Sequence, residues 1–223
     1  MEIHTPRIKV CCIQSPSEAK LVFKLGVDAI GLVSEMPSGP GIIPPERILE
    51  ITRLIPPSID GFVLTRLTNS WDLIDLIRSV KNRTIQLVDK LGAGNYMEIR
   101  SSIPCVKIVQ VVHVNNEDAI DIALKVDPFV DAILLDSGNP EALVPEFGGT
   151  GRVHDWSISR EIVKHVESPV FLAGGLNPDN IAEAISIVNP FGVDVCNGVR
   201  TDGKLDLEKL NQFVSNVRNW NKG

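Results

Sequence analysis

Short apolar runs alternate regularly along the chain with longer segments of helical period. Eight runs rich in Val, Ile and Leu occur, at residues 8–13, 29–33, 61–64, 84–88, 106–114, 130–135, 170–173 and 193–196. Continuously apolar runs are typical of strands that are covered on both faces, as in a parallel sheet. Strands that alternate with helices in this way predict repeated βα units.

Polar caps followed by proline predict where several helices begin. Ser15-Pro-Ser-Glu18 predicts the start of the first helix, Pro44-Pro-Glu46 that of the second and Asn177-Pro-Asp179 that of the seventh. The last segment, 206–220, carries an apolar stripe that predicts an eighth helix. The stripe consists of Leu207, Leu210, Phe213, Val214 and Val217.

Eight such units in 223 residues favour a closed (βα)8 TIM barrel of the α/β class. A doubly wound sheet is the alternative, because it alternates strand and helix in the same way. No linker or low-complexity segment divides the chain, so residues 1–223 are predicted to form a single domain. Loops rich in Gly and Pro follow the predicted strands, at the end of the barrel where such enzymes bind their ligands.

Composition narrows the class of partner. The net charge of -6 would repel nucleic acid and anionic membranes, so a small phosphorylated substrate is the predicted partner. No run of about 18 apolar residues occurs, and the four cysteines include no CxxC pair. The cysteines are therefore predicted to be reduced thiols in a cytoplasmic protein. The protein is predicted to be either a monomer or a homodimer.

Two loops that contain glycine predict a phosphate site. Residues 173–178 (AGGLNP) follow the seventh run and precede a helix, and residues 197–199 (NGV) follow the eighth run. Glycine lets the backbone approach an anion closely, and amides at a helix start attract phosphate. Tight turns are the alternative, but paired loops after strands 7 and 8 are typical of barrel phosphate sites. The predicted phosphate-binding residues are Gly174, Gly175, Asn197 and Gly198.

Two side chains at the predicted barrel mouth are candidates for acid–base chemistry. Asp136 directly follows an apolar run, although an aspartate there could instead cap the next loop or pair with Arg152. Cys11 lies late in the first run and opens onto the same mouth if it faces the barrel axis, in which case Cys12 faces the helices. A buried cysteine is more often a small inert hydrophobe, and its use as a base requires a thiolate with a pKa near neutral.

The loop after Asp136 ends in a glycine-rich segment, 148–151, which is a candidate lid or simply a flexible connection. Residues 152–156 behind it are predicted to anchor the loop on the helical layer. His154 is predicted to be structural, because no nucleophile or metal partner accompanies it. The same holds for His4, His113 and His165, and no metal site is predicted.

Four motifs together resemble the phosphoribosylanthranilate isomerase family of tryptophan biosynthesis, almost from end to end. They are Lys9-Val-Cys11, Leu134-Leu-Asp136-Ser, residues 148–156 (GGTGRVHDW), and residues 172–180 (LAGGLNPDN) with 192–199 (GVDVCNGV). The resemblance implies a (βα)8 barrel that catalyses the Amadori rearrangement of N-(5-phosphoribosyl)anthranilate without a metal or an organic cofactor. It also implies that Asp136 protonates the furanose ring oxygen and that the Cys11 thiolate removes the C2 proton.

Several residues at the predicted mouth depart from the family's pattern. Cys12 replaces a glycine, Gly41 replaces an arginine and Arg200 replaces an acid. Gln86-Leu-Val-Asp89 stands where the family has Gln-Leu-His-Gly. Gln86 is predicted to contact the substrate, and Arg200 could compensate for the lost arginine. An arginine that faces a carboxylate or phosphate contributes on the order of 1.5 to 3 kcal/mol per charge-assisted bond.

These departures keep two alternatives open. One is a divergent isomerase of the same barrel type that acts on another phosphorylated aminosugar or ketose. The other is a phosphometabolite-binding barrel without catalysis, because barrels support binding as readily as turnover. All three hypotheses share the phosphate site and differ at the opposite end of the ligand.

Overall fold

The barrel fold is confirmed by the computed structural model, which describes residues 5–36, 40–138 and 153–220. Eight parallel strands close into a ring in sequence order. Strand β1 (Arg7–Val10) pairs with both β2 (Ala29–Val33) and β8 (Gly192–Val195), which completes the ring. The doubly wound sheet is therefore wrong, because an open sheet would leave two strand edges unpaired.

Seven of the eight strands lie within about two residues of the apolar runs at both ends, and β1 is the exception. The remaining barrel strands are β3 (Asp60–Thr65), β4 (Thr84–Leu87), β5 (Lys107–His113), β6 (Ala132–Asp136) and β7 (Val170–Leu172). The helices are α1 (Pro16–Phe23), α2 (Pro45–Thr52), α3 (Ser70–Val80), α4 (Ala93–Ser102), α5 (Asp118–Val126), α6 (Trp156–His165), α7 (Ile181–Val188) and α8 (Leu207–Asn219). A short hairpin of β9 (Arg200–Thr201) and β10 (Lys204–Leu205) precedes α8, and 3₁₀ turns cover Asp127–Phe129 and Asn197–Val199.

The helix starts follow the predicted caps with one exception. The Ser15 hydroxyl accepts a hydrogen bond from the Glu18 amide at 3.1 Å and so caps α1 as predicted. Helix α7 begins at Ile181, three residues later than Pro178. The side chain of Asn177 instead caps the turn before the helix, where it accepts a bond from the Asp179 amide at 2.9 Å.

The first strand is shorter than its apolar run, 8–13, because the backbone turns after Cys11. Cys12 has a φ of 63°, in the left-handed region that is incompatible with a continuing pleat. Strand β1 therefore ends at Val10. The turn directs the chain across the mouth of the barrel towards α1.

Apolar side chains fill two separate layers. The outer layer lies between the strands and the helices, and the inner layer lies inside the ring. The inner layer includes Cys11, Phe62, Leu134 and Phe171, and the two phenyl rings meet edge to face with centroids 5.7 Å apart. Successive strand residues alternate between the layers, so every second residue points towards the barrel axis. Among the helices of the described segments, none has the length and apolar character to cross a bilayer.

Candidate active site

A cavity of about 230 Å³ opens at the C-terminal ends of the barrel strands. All eight strands, or the loops that follow them, contribute to its lining. Seven of the eight residues predicted for the site line this cavity. They are Cys11, Gln86, Asp136, Gly174, Gly175, Asn197 and Gly198.

Cys11 follows β1 and faces the cavity with 5% of its surface exposed. A hydrogen bond from the Cys12 side chain is the largest effect that lowers the pKa of Cys11 below its ordinary value. Burial opposes this shift, and the Lys9 ammonium reinforces it. Cys11 therefore ionises more readily than an ordinary buried cysteine does. A base requires this ionised form, the thiolate.

Asp136 ends β6 and lines the same cavity. Burial raises the pKa of its carboxyl above the ordinary value, while His113, the Ser137 amide and Lys9 act in the opposite direction. The Ser137 amide donates to Asp136 Oδ1 at 2.7 Å, so the side chain also caps its own loop. A carboxyl with a raised pKa retains its proton at higher pH and can serve as an acid.

A buried ion pair lies beneath the cavity, and the sequence analysis did not select it. Lys9 on β1 is fully buried, and its Nζ donates to Asp194 Oδ2 on β8 at 2.8 Å. Burial alone would lower the pKa of Lys9, but the Asp194 carboxylate raises it above the ordinary value. The positive charge of Lys9 favours the ionised forms of both Cys11 and Asp136. Charged residues within two otherwise apolar runs were the signal that could have revealed this pair.

The two predicted phosphate loops meet at the cavity wall. Gly174 and Gly175 both have positive φ, 82° and 66°, which glycine adopts without strain. A Cβ at Gly174 would lie 2.8 Å from the Ser137 amide nitrogen, and one at Gly198 would overlap the Leu176 carbonyl oxygen. Both loops thus bring bare backbone against the cavity, which is the arrangement that an anion needs.

The side of the cavity opposite these loops is mainly hydrocarbon. Leu64, Val88 and Val111 come from β3, the end of β4 and β5. Gln86 lies among them and is buried, and its Oε1 has no hydrogen-bond partner within the described residues. Gln86 thus offers a polar atom to a ligand.

Two thiols lie against each other at the mouth. Cys12 was predicted to face the helices, but this is wrong, because its left-handed backbone turns the side chain towards β8. Its Sγ lies 2.7 Å from Cys196 Sγ. Hydrogen bonds with Cys11 and Cys196 raise the pKa of the Cys12 thiol well above the ordinary value.

Arg200 is the one predicted site residue that does not line the cavity. Its guanidinium donates to the Cys12 carbonyl at 2.6 Å and to the Gly203 carbonyl at 3.2 Å, and it pairs with Glu18 at 2.6 Å. These partners hold a buried side chain at the back of the first loop. The expectation that Arg200 takes the place of the lost arginine in the cavity is corrected accordingly.

The remaining expectations concern the histidines and the lid. His154 Nε2 lies 2.6 Å from Ser159 Oγ, and burial lowers its pKa to about 4. His113, which the sequence analysis set aside, lines the cavity. The lid segment 148–151 and Arg152 lie outside the described residues. Across the three described ranges, no three His, Cys, Asp or Glu side chains are grouped to hold a metal ion.

Comparison with known proteins assigns the family. A family model described as N-(5'-phosphoribosyl)anthranilate (PRA) isomerase matches residues 8–216. This chain belongs to that family. The N-(5'-phosphoribosyl)anthranilate isomerase of Methanocella arvoryzae is 33% identical over 213 residues, which cover 95% of this chain and 98% of that protein.

Solved structures of phosphoribosyl anthranilate isomerases agree with this assignment. The enzyme from Thermotoga maritima has a TM-score of 0.82 and 29% identity, over 96% of this chain and 98% of that one. A second structure holds reduced 1-(o-carboxyphenylamino)-1-deoxyribulose 5-phosphate, and its TM-score is 0.79 at 28% identity over the same shares of the two chains. The resemblance inferred from four motifs is thereby confirmed.

Proposed function

We propose that this chain is an isomerase that carries out the Amadori rearrangement of N-(5'-phosphoribosyl)anthranilate in tryptophan biosynthesis. The observation that carries the proposal is one cavity that holds a carboxyl with a raised pKa, Asp136, and a thiol with a lowered pKa, Cys11. Groups whose environments move their pKa values in opposite directions are typical of acid and base pairs. Membership of the PRA isomerase family supports the same reaction.

The substrate binds across the barrel mouth in this mechanism. Its phosphate occupies the two glycine loops, at Gly174 and Gly175 and at Asn197 and Gly198, where backbone amides attract an anion. Its sugar lies between Cys11 and Asp136, and its aromatic ring extends towards the hydrocarbon side. A phosphorylated carboxyphenylamino sugar bound in a structural relative supports a ligand of this shape.

Proton transfer then needs only the two cavity residues. The Asp136 carboxyl protonates the ring oxygen, and the C1–O bond breaks to leave a protonated Schiff base between C1 and the aromatic nitrogen. The Cys11 thiolate takes the C2 proton, and the electron pair of that C–H bond forms an enolamine. Tautomerisation moves a proton to C1 and gives the ketone. Lys9 keeps a positive charge near both groups throughout.

The pH dependence follows from these roles. The acid must be protonated, so activity falls as the pH rises through the raised pKa of Asp136. The base must be ionised, so activity also falls as the pH drops through the lowered pKa of Cys11. A bell-shaped profile of kcat/KM is expected.

The test uses purified protein and freshly prepared substrate, whose fluorescence disappears on conversion. Cys11→Ser and Asp136→Asn should each lower kcat by at least about 100-fold, the usual contribution of a positioned acid or base. Cys105→Ser is the matched control, since Cys105 is exposed and lies outside the cavity. Full activity in both cavity variants would refute the assigned roles.

We further propose a cytoplasmic location and action on a small phosphorylated molecule rather than on nucleic acid or a membrane. The net charge of -6 and the four free cysteines support this. The chain acts as a monomer or a homodimer, which sedimentation of the purified protein would decide.

A further inference from the structure

The charge of the proposed substrate sets a requirement that the cavity must meet. The substrate carries two anionic groups, a phosphate and an aromatic carboxylate, at opposite ends. The glycine loops provide for the phosphate. Among the described residues that line the cavity, His113 is the one side chain able to carry a positive charge.

His113 lies on the side of the mouth where the aromatic half must go. In a ring of eight strands closed in sequence order, β3 and β4 face β7 and β8. A ligand whose phosphate occupies the loops after β7 and β8 therefore directs its other end towards β3 and β4. His113 ends β5, directly beside β4, and pairs in register with Asp136.

The neighbours of His113 suit an aromatic ring that carries a single polar group. Leu64, Val88 and Val111 provide hydrocarbon at the ends of β3, β4 and β5. Both ring nitrogens of His113 are buried, and neither makes a hydrogen bond of good geometry within the described ranges, although the Val88 backbone lies close enough to favour the imidazolium. Buried polar atoms without partners are rare in folded proteins, and a ligand atom commonly supplies the missing bond.

The departures from the family's pattern fit the same assignment. Gly41 and Val88 stand where the pattern has an arginine and a histidine. Gly41 has no room for a side chain, since a Cβ there would lie 2.6 Å from Cys12 Cβ. Val88 lies at the end of β4, and His113 supplies an imidazole from the neighbouring strand.

We propose that His113 binds the carboxylate of the substrate's aromatic half and thereby determines the specificity for carboxylated substrates. The proposal rests on the proposed isomerase function. The ring nitrogen donates to a carboxylate oxygen while the aromatic ring packs against Leu64, Val88 and Val111. His113 is a binding residue in this role, and the proton transfers remain with Cys11 and Asp136.

The charge of His113 changes on binding. Burial lowers the pKa of the free imidazole, and Arg66 lowers it further. The Asp136 carboxylate, the Val88 backbone and Asp89 raise it. Arg66 and Asp89 pair at 2.8 Å and so largely offset each other. A bound carboxylate favours the imidazolium and raises the pKa. The affinity for the carboxylate is therefore highest below the pKa that His113 has in the free protein. It falls as the pH rises through the higher pKa that His113 has in the complex.

The experiment compares two substrates that differ only in the carboxylate. They are N-(5'-phosphoribosyl)anthranilate and the adduct of aniline with the same phosphorylated sugar. His113→Leu should lower kcat/KM for the carboxylated substrate by about 10- to 150-fold, mainly through KM, as expected for a lost charge-assisted hydrogen bond. For the aniline adduct, which has no carboxylate, KM should stay close to the wild-type value. The effect on that substrate should be confined to the pH profile, because His113 also lowers the pKa of Asp136.

A second variant separates charge from folding. His113→Gln keeps a hydrogen-bond donor, so it should lose less affinity but should abolish the pH dependence of KM. His165→Gln is the matched control, since His165 lies on α6 outside the cavity. The melting temperature of each variant reports whether the barrel is intact.

The outcomes are distinct. Equal increases in KM for both substrates, or no increase for either, would overturn the role of His113 and leave the isomerase function standing. Wild-type protein that turns over neither substrate would overturn the proposed function, and the inference with it.

Discussion

Replacing Lys9 with methionine should destabilise the barrel by about 3–5 kcal/mol, the usual result of removing one partner of a buried ion pair. Lys9 is fully buried and its Nζ lies 2.8 Å from Asp194 Oδ2, so Lys9→Met leaves a buried carboxylate without its counter-charge. Methionine preserves most of the volume, so the loss reflects charge rather than packing. At about 2–4 °C per kcal/mol for a chain of this size, the melting temperature should fall by about 6–20 °C.

The assay is thermal and urea unfolding of three variants beside the wild type. The double variant Lys9→Met/Asp194→Asn should recover part of the lost stability, because it also removes the unpaired charge of the Asp194 carboxylate. Lys164→Met is the control: Lys164 pairs with Glu161 at 2.6 Å, but both side chains are more than 40% exposed. Exposed pairs contribute roughly 0–1 kcal/mol. Equal, small losses in Lys9→Met and Lys164→Met would refute the energetic role of the buried pair.

The same variant tests the link from this pair to catalysis. The Lys9 ammonium lowers the pKa of both Cys11 and Asp136, so its removal should raise both values. The acidic and basic limbs of the kcat/KM profile should then both move to higher pH. A profile that keeps its position at reduced amplitude would show that Lys9 supports the fold and not the electrostatics of the cavity.

Two further predictions concern the mouth. Gly198→Ala should raise KM at least tenfold in steady-state assays and leave the aromatic specificity intact. The added methyl group would overlap the Leu176 carbonyl and separate the two phosphate loops. Gly94→Ala is the control, because there is open space around the Cβ position of Gly94. Mild hydrogen peroxide should oxidise Cys12 and Cys196, whose sulfurs are 2.7 Å apart, to a disulfide. In this reaction two thiols and one peroxide give one disulfide and two waters. Mass spectrometry should then detect one cross-linked peptide that is missing from Cys196→Ser.

The barrel could be predicted from the sequence because its strands are buried on both faces, which leaves an uninterrupted apolar run for each one. The ends of the runs were less informative, since apolar residues also continue into the loops that line the mouth. The run 8–13 continues past Val10 for this reason, and the left-handed backbone of Cys12 is invisible in composition. The start of α7 was missed because Asn177 caps a turn that precedes the helix.

The candidate site was predictable where the chemistry depends on position along one strand or loop. Cys11 lies late in one apolar run and Asp136 follows another, so their placement at the mouth follows from the topology. Two of the partners that hold Arg200 come from the first loop and α1, far away in sequence, and no local pattern encodes that choice. His113 was expected to be structural because no nucleophile or metal partner accompanies it in the sequence. Its unpartnered nitrogens become evident only from the packing of the neighbouring strands.

Three departures from the family's pattern are in direct contact, so they constitute one structural change rather than three. The Cys12 carbonyl accepts from Arg200 at 2.6 Å, a bond that helps to hold a left-handed conformation in which glycine would be unstrained. The Cys12 side chain in turn occupies the space that any side chain at Gly41 would need. The Cys12 Cα would also lie 2.9 Å from a Cβ at Gly41, so both the side chain and the left-handed backbone of Cys12 leave no room for an arginine there. Under the proposal that His113 binds the aromatic carboxylate, this change leaves the aromatic end of the cavity with the His113 imidazole as its cation among the described lining residues.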